Sequence, residues 1–133
     1  MKNTAFLSVL LALILLAGCA SEPVDVDLTK LSSTFVYSEV YNMVTNAGDY
    51  IGKTVKMDGT MNRYTTTTRE LYACLVLDAT ACCAQGIAFE WAGEHAPSEY
   101  PPQGAMITVV GTFATFEEDG ITYCYLANAE LKR

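Results

Sequence analysis

Hydrophobic and polar residues alternate along most of the second half of the chain, as they do in half-buried β-strands. In the segment 53–61, Val55, Met57, Gly59 and Met61 share one side and polar residues occupy the other. Gly59 inside this pattern indicates a bulge or a sharp bend. Similar patterns recur downstream, and the five predicted strands are 53–61, 71–78, 82–91, 105–116 and 121–126.

The pattern also gives each strand an expected inward face. Residues 92–104, between the third and fourth strands, contain three prolines and two glycines and are expected to form a loop. Residues 117–120 are expected to form a hairpin turn with a solvated acidic tip at Glu117-Glu118-Asp119. The residues expected to face inward are Leu71, Ala73, Leu75 and Leu77 in the second strand, Ile87, Phe89 and Trp91 in the third, and Ile107, Val109 and Phe113 in the fourth.

One helix is predicted before the first strand, over 35–47. Val36, Val40, Met43 and Ala47 follow one another at the spacing of a single helical face. That face is expected to lie against the sheet.

These elements predict a mainly β domain. Five short strands with a bend glycine in the first fit a small Greek-key barrel of the oligonucleotide/oligosaccharide-binding (OB) type, preceded by one short helix. A curled sheet with another strand order fits the same pattern. A chain of 133 residues accommodates one such domain, which is expected to span 35–133.

The first 18 residues are predicted to be a lipoprotein signal peptide. Lys2 supplies a positive charge, and the apolar run 5–16 is too short to cross a bilayer. Leu16-Ala17-Gly18-Cys19 resembles the lipobox of bacterial lipoproteins. This resemblance implies cleavage before Cys19 and modification of its thiol by diacylglycerol, with acyl chains such as palmitate. An ordinary signal peptide, or a short buried helix that ends in cysteine, is the alternative.

Residues 19–34 are expected to form the lipidated N-terminus and a flexible acidic tether, since they are polar and lack a sustained period. Lipidation predicts an anchored protein on the extracytoplasmic side of the cell membrane or the outer membrane. The formal net charge of −7 disfavours nucleic acid as a partner, because phosphate backbones repel an acidic domain. The expected partners are the membrane, through the anchor, and an envelope protein or transporter.

Three stretches of the chain resemble known sequences: Asp49 to Gly59, Ala81-Cys82-Cys83-Ala84-Gln85-Gly86-Ile87, and Gly111-Thr112-Phe113. Together they resemble bacterial OB-type lipoproteins with a double cysteine, and are similar to the OB module of proteins found beside predicted permeases. The resemblance covers residues 50–131. It implies the fold and an envelope location, and it carries no activity to this chain.

Four cysteines follow Cys19, at Cys74, Cys82, Cys83 and Cys124. In an OB barrel the third strand lies between the second and the fifth, which predicts that the four thiols are neighbours in space. Cys82 and Cys83 are not expected to bond to each other. Their Cα atoms are about 3.8 Å apart, below the usual range for a disulfide.

Several kinds of cysteine chemistry stay open. One is structural disulfides, for example Cys74 with Cys83 and Cys82 with Cys124. Another is a soft-metal site of all four thiols for zinc or copper(I), although their spacing matches no standard zinc motif. A thiol-redox role lacks a Cys-x-x-Cys motif and a nearby positive charge. Inert buried thiols, without any cofactor, are a further alternative. The one histidine, His95, is expected to be solvated in the loop.

The tyrosines are a second candidate feature. They are expected either to cover a small core or to form a stacking platform for a glycan or peptide. The eight are Tyr37, Tyr41, Tyr50, Tyr64, Tyr72, Tyr100, Tyr123 and Tyr125.

The chain is therefore predicted to be a non-enzymatic, lipid-anchored binding or accessory module, related to envelope transport or metal handling through its cysteines. The alternatives are a disulfide-stapled adaptor that binds a protein or glycan, and a thiol-redox protein.

Overall fold

The computed structural model describes residues 23–132, which form six strands and one α-helix. The predicted mainly β class with a single helix is confirmed, and so are all five predicted strands, with shifted ends. The strands are β1 (Val26–Asp27), β2 (Thr54–Thr65), β3 (Glu70–Leu77), β4 (Ala84–Trp91), β5 (Met106–Glu118) and β6 (Ile121–Lys132), and the helix is α1 (Ser33–Thr45).

The strands form one sheet that closes into a ring. The order is β2, β3, β4, β6, β5 and back to β2, with β1 beside β2. Neighbours are antiparallel, except that β1 runs parallel to β2 and β4 runs parallel to β6. The expectation that the third predicted strand lies between the second and the fifth is confirmed, since β4 lies between β3 and β6.

The hydrophobic core lies within this ring, and α1 packs against β3 and β4. Val40 and Met43 of the helix are fully buried, as its apolar periodicity predicts. The inward faces predicted for the first, third and fourth strands are also confirmed, except that Trp91 at the end of the third is only half-buried against the core. Their buried residues are Val55, Met57 and Met61 in β2, Ile87 and Phe89 in β4, and Ile107, Val109 and Phe113 in β5.

The inward face predicted for β3 is wrong by one residue. Cys74 and Val76 enter the core, whereas Leu77 is 48% exposed. Cys74 is opposite Met61 of β2 and Ile87 of β4, and both of these partners point into the core. Both faces of β3 carry apolar residues, so alternation alone does not distinguish them.

Gly59 lies where β2 changes its neighbour. The first part of β2, up to Thr60, pairs with β5, and the second part, from Thr60 to Thr65, pairs with β3. A Cβ atom on Gly59 would lie 2.3 Å from the backbone oxygen of Leu75 and 2.7 Å from Cys74 Sγ. The glycine predicted to mark a bend thus permits a close approach of β3 to β2.

Part of the predicted tether belongs to the folded domain, so the expected domain start at residue 35 is too late. Val26 pairs with Val55, and the following turn, Leu28–Lys30, buries Leu28 to 1% exposure. Asp27 Oδ1 accepts a hydrogen bond of 3.1 Å from the backbone N–H of Thr29 and so caps the turn. Val24, Val26 and Leu28 alternate with two aspartates, but the alternation covers only residues 24–28 and is too short to have been recognised as a strand.

The predicted signal peptide, 1–18, and the predicted lipidation site, Cys19, lie outside the described residues. Within residues 23–132, no helix has the length and apolar character that a membrane span requires.

Candidate binding site

The four cysteines of the domain do not form one cluster. Cys74 is buried in the core, Cys124 is half-buried on β6, and Cys82 and Cys83 are exposed in the loop between β3 and β4. All four are free thiols, so neither of the disulfides considered from the sequence is present. In the described part of the chain, no three Cys, His, Asp or Glu side chains are placed to hold a metal ion together.

Cys82 and Cys83 were assigned to the third predicted strand, but β4 begins only at Ala84. Asp78 organises the loop that contains them. Its Oδ1 atom accepts hydrogen bonds from the backbone N–H groups of Thr80 (3.1 Å) and Cys82 (2.9 Å), and its own N–H donates to the Cys83 carbonyl (3.0 Å). An aspartate whose carboxylate accepts hydrogen bonds from the backbone N–H groups of the residues that follow it favours a turn over a continued strand.

Burial lowers the reactivity of two of the thiols. It raises the pKa of Cys74 to about 12, and the nearby Asp58 carboxylate adds to this effect. Burial also raises the pKa of Cys124 above its ordinary value. Since the thiolate is the reactive form, Cys74 is a structural core residue at neutral pH.

The four thiols are therefore expected to differ in their reactivity. When the native chain is treated with iodoacetamide, we expect Cys82 and Cys83 to be alkylated first, Cys124 more slowly, and Cys74 only after unfolding. Peptide mass spectrometry at a series of times measures this order, and a sample in denaturant supplies the control in which all four react. Rapid modification of Cys74 in the native chain would contradict its position in the core.

A groove of about 260 Å³ that several aromatic side chains line crosses β3, β4 and β6 and is here called the aromatic groove. Arg69, after the turn between β2 and β3, and Phe116, near the end of β5, lie on its border. Its other aromatic residues are Tyr72, Phe89, Tyr100 and Tyr125, and its other charged residues are Glu70 and Glu90.

One side of the aromatic groove is a set of stacked rings. Tyr72 and Tyr100 stack with their centroids 3.7 Å apart and their planes within 9°. Tyr100 meets the Trp91 ring edge-on at 5.3 Å, and Trp91 in turn stacks on His95 at 3.6 Å. These contacts fix Tyr100, which comes from the loop between β4 and β5, against the sheet.

His95 is not the solvated loop residue that the sequence suggested. Its side chain is 21% exposed because it lies on Trp91, and its Nε2 atom is 2.9 Å from the Ala92 carbonyl oxygen. The histidine therefore supports Trp91 and, through it, the Tyr100 ring.

The opposite side of the aromatic groove depends on Glu118, whose side chain is only 8% exposed. Its Oε1 atom accepts hydrogen bonds from Thr66 Oγ1 (3.0 Å) and from the backbone N–H of Thr68 (2.7 Å). The hydrogen bonds from Thr68 and Thr66 hold the pKa of Glu118 below its ordinary value. Glu118 thus fixes the β2–β3 turn on the β5–β6 hairpin, and the expectation of a fully solvated acidic tip is wrong at this residue.

The same carboxylate positions Arg69, which is the one cation that residues 23–132 contribute to the lining of the groove. Arg69 lies 3.8 Å from Glu118 Oε2, and its guanidinium is 4.6 Å from the centre of the Phe116 ring. Arg69 is therefore already engaged by a carboxylate and an aromatic face.

The charge that the aromatic groove leaves available is negative. Glu70 forms an ion pair with Arg63, whereas Glu90 is exposed on β4 and has no ion-pair partner within residues 23–132. Burial raises the pKa values of Tyr72 and Tyr100, so both hydroxyls stay protonated at neutral pH. The Tyr72 hydroxyl donates to Glu70 Oε2 (3.4 Å), and that of Tyr100 can donate to a ligand.

The sequence identified this site only in part. Tyr72, Tyr100 and Tyr125 belong to the predicted set of tyrosines, but nothing in the sequence separated them from the other five. The alternation of Tyr123 and Tyr125 on one strand was the available signal, because these two rings share a face with Phe116, which stacks on Tyr123 and meets Tyr125 edge-on. Comparison of the chain with protein-family models, curated proteins and solved structures gave no match.

Proposed function

We propose that this chain is a non-enzymatic, lipid-anchored binding module of the cell envelope, and that its aromatic groove binds a short glycan. The observation that carries the proposal is the groove itself, where five aromatic side chains, each from a different part of the fold, line one concave site. The lipid anchor and the envelope location are inferred from the lipobox-like Leu16-Ala17-Gly18-Cys19.

An OB-like fold is part of this proposal. With β1 set aside, five strands in a closed ring are consistent with the five-stranded Greek-key barrel of that fold. OB folds bind oligonucleotides and oligosaccharides on their second and third strands, between the loop that joins strands 1 and 2 and the loop that joins strands 4 and 5. Here the corresponding parts are β3 and β4, the β2–β3 turn and the β5–β6 hairpin, which are the elements that form the aromatic groove.

The side chains of the groove suit a sugar ring. Tyr125 lines the groove and stacks on no other ring within residues 23–132, so its aromatic surface is available to the C–H face of a pyranose. Tyrosine hydroxyls supply hydrogen bonds at the edge of the sugar. Ligand pockets usually enclose about 300–1,000 Å³, so a groove of about 260 Å³ is suited to one ring at a time along a chain.

The negative charge of the chain limits the kinds of glycan that the groove can bind. The net charge of −7 and the unpaired Glu90 disfavour polyanions, whether nucleic acids or phosphate-bearing polymers. A neutral or amine-bearing glycan meets no such repulsion, and a ring amine can pair with the Glu90 carboxylate. We therefore propose amino-sugar oligomers as the ligand class.

Trp91 offers a direct test, because it is the only tryptophan in the chain and contacts Tyr100 of the groove. Titration of the full chain with the tetramer of N-acetylglucosamine, and with its deacetylated form, is expected to change Trp91 fluorescence in a saturable manner. The Tyr125→Ala variant is expected to weaken binding by about fivefold or more, since one stacking contact is worth on the order of 1 kcal/mol.

Tyr41→Ala is the matched control, because Tyr41 is an exposed tyrosine on α1. This variant is expected to bind like the unmodified chain, and calorimetry checks each affinity independently of fluorescence. Glu90→Gln is expected to weaken binding of the deacetylated tetramer more than that of the acetylated one. Absence of binding to both tetramers, or equal loss in the Tyr41 and Tyr125 variants, would refute the proposal.

A further inference from the structure

Cys82 and Cys83 remain as the two exposed thiols within residues 23–132. They are adjacent in a loop that Asp78 closes with hydrogen bonds at both ends, and Ala81 before them adopts the left-handed conformation, with φ of 55°. Neither thiol belongs to the core or to the aromatic groove. The glycan-binding proposal therefore gives them no role.

Adjacent cysteines are too close for an ordinary disulfide but not for a shared metal ion. A disulfide requires an S–S distance of about 2.05 Å and usually Cα atoms at least about 4.4 Å apart, whereas adjacent Cα atoms are about 3.8 Å apart. With metal–sulfur bonds of about 2.3 Å, one ion can join two sulfur atoms up to about 4.6 Å apart. Cys82 and Cys83 precede β4 and lie in a loop, so their side chains are not held on opposite faces of a strand.

The surroundings of the pair favour a cation over redox chemistry. The sequence contains no lysine or arginine between Glu70 and Leu131, and Asp78 adds a carboxylate to the loop. A redox-active thiolate usually depends on nearby positive charge, whereas an acidic site attracts metal ions.

We propose that Cys82 and Cys83 form a two-thiolate chelate for copper(I). Soft thiolate ligands select copper(I), and two sulfur ligands satisfy its low coordination number, whereas structural zinc almost always takes four ligands. Each sulfur loses its proton as its bond to the metal forms, and no electron is transferred. This site does not depend on the glycan proposal, because it uses a different loop and a different ligand.

Competition with a chromophoric copper(I) chelator under anaerobic conditions tests the site on the reduced full chain. We expect one copper(I) ion per chain, bound by a monomer in light scattering. Cys82→Ser and Cys83→Ser are each expected to weaken binding by at least about a hundredfold, since each removes one of the two thiolate ligands. Circular dichroism confirms that the variants, which alter exposed residues, are folded.

Cys124→Ser is the matched control, since it removes one thiol that lies outside the proposed site. It is expected to leave the affinity and the one-to-one stoichiometry unchanged. Unchanged affinity in the Cys82 or Cys83 variant, equal loss in the Cys124 variant, or a metal-bridged dimer would overturn the proposal. Failure here would leave the amino-sugar titration unaffected, so the two proposals are tested separately.

Discussion

Replacement of Gly59 by alanine is expected to lower the free energy of unfolding by about 3 kcal/mol, the upper end of the usual range for overpacking. The new Cβ atom would lie 2.3 Å from the Leu75 carbonyl oxygen and 2.7 Å from Cys74 Sγ. The strand that carries these two atoms cannot easily move away, because β3 is paired with β2 on one side and with β4 on the other. Urea denaturation followed by circular dichroism measures the change.

Gly48→Ala adds the same Cβ atom at a site where no heavy atom lies within 4 Å. It is expected to change stability by no more than about 0.5 kcal/mol. Similar losses in the two variants would mean that β2 and β3 do not approach each other as closely as the structure indicates.

Replacement of Leu28 by alanine is expected to cost about 2–5 kcal/mol, the usual range for removing a fully buried leucine side chain. Leu28 is 1% exposed and belongs to the core that the ring of strands encloses. The loss would show that the residues before α1 are part of the folded domain rather than a tether.

Leu31→Ala provides the comparison within the same segment, since Leu31 is 43% exposed. Its expected effect is within about 0.5 kcal/mol, as for most surface substitutions. Chemical denaturation of the two variants side by side shows whether this segment belongs to the folded domain or is a tether. If the Leu28 variant were as stable as the Leu31 variant, the segment would be a tether as the sequence pattern suggested.

The fold was predictable from the sequence where one face of an element is clearly apolar. The alternation of Val55, Met57 and Met61 located β2 and its inward face, and the spacing of Val40 and Met43 located α1. In β3, Leu75 and Val76 are both apolar, so the face was decided by pairing with β2 and β4 rather than by pattern. Leu75 instead covers Gly86 from the other side of the sheet.

The four thiols are not grouped together for a related reason. Strands that lie side by side do not necessarily bring particular side chains into contact. Cys74 is opposite Ile87, and the pairing of Ala88 with Tyr125 places Cys124 on the other side of Ile87. Two strand spacings of about 4.8 Å therefore separate the Cys74 and Cys124 backbones, more than a disulfide spans. The order of the strands was foreseeable from the sequence. The register that places Ile87, rather than Cys82 or Cys83, between Cys74 and Cys124 was not.

The sequence predicted that tyrosines could form a binding surface, but not which tyrosines would line the aromatic groove. Tyr72 and Tyr100 are 28 positions apart in the sequence, and their stacking depends on the path of the loop that follows β4. Glu118 appeared to belong to a solvated tip, and only its contact with the β2–β3 turn shows that it shapes the site.

The two proposed sites are far enough apart to act independently. Arg69 precedes β3 and Asp78 follows it, so the border of the aromatic groove and the thiol loop lie at opposite ends of that strand. Eight residues of extended chain separate those ends by about 26 Å. A ligand in the groove is therefore not expected to contact Cys82 or Cys83.

The most direct test of the central claim, that the aromatic groove is the binding site, is an NMR titration of the full chain with the amino-sugar tetramer. Backbone amide signals of residues 69–72, 88–90 and 125 are predicted to shift progressively, while those of α1 and of the thiol loop, 79–83, stay in place. Shifts confined to α1 or the thiol loop, or no shifts at all at saturating tetramer, would contradict the claim.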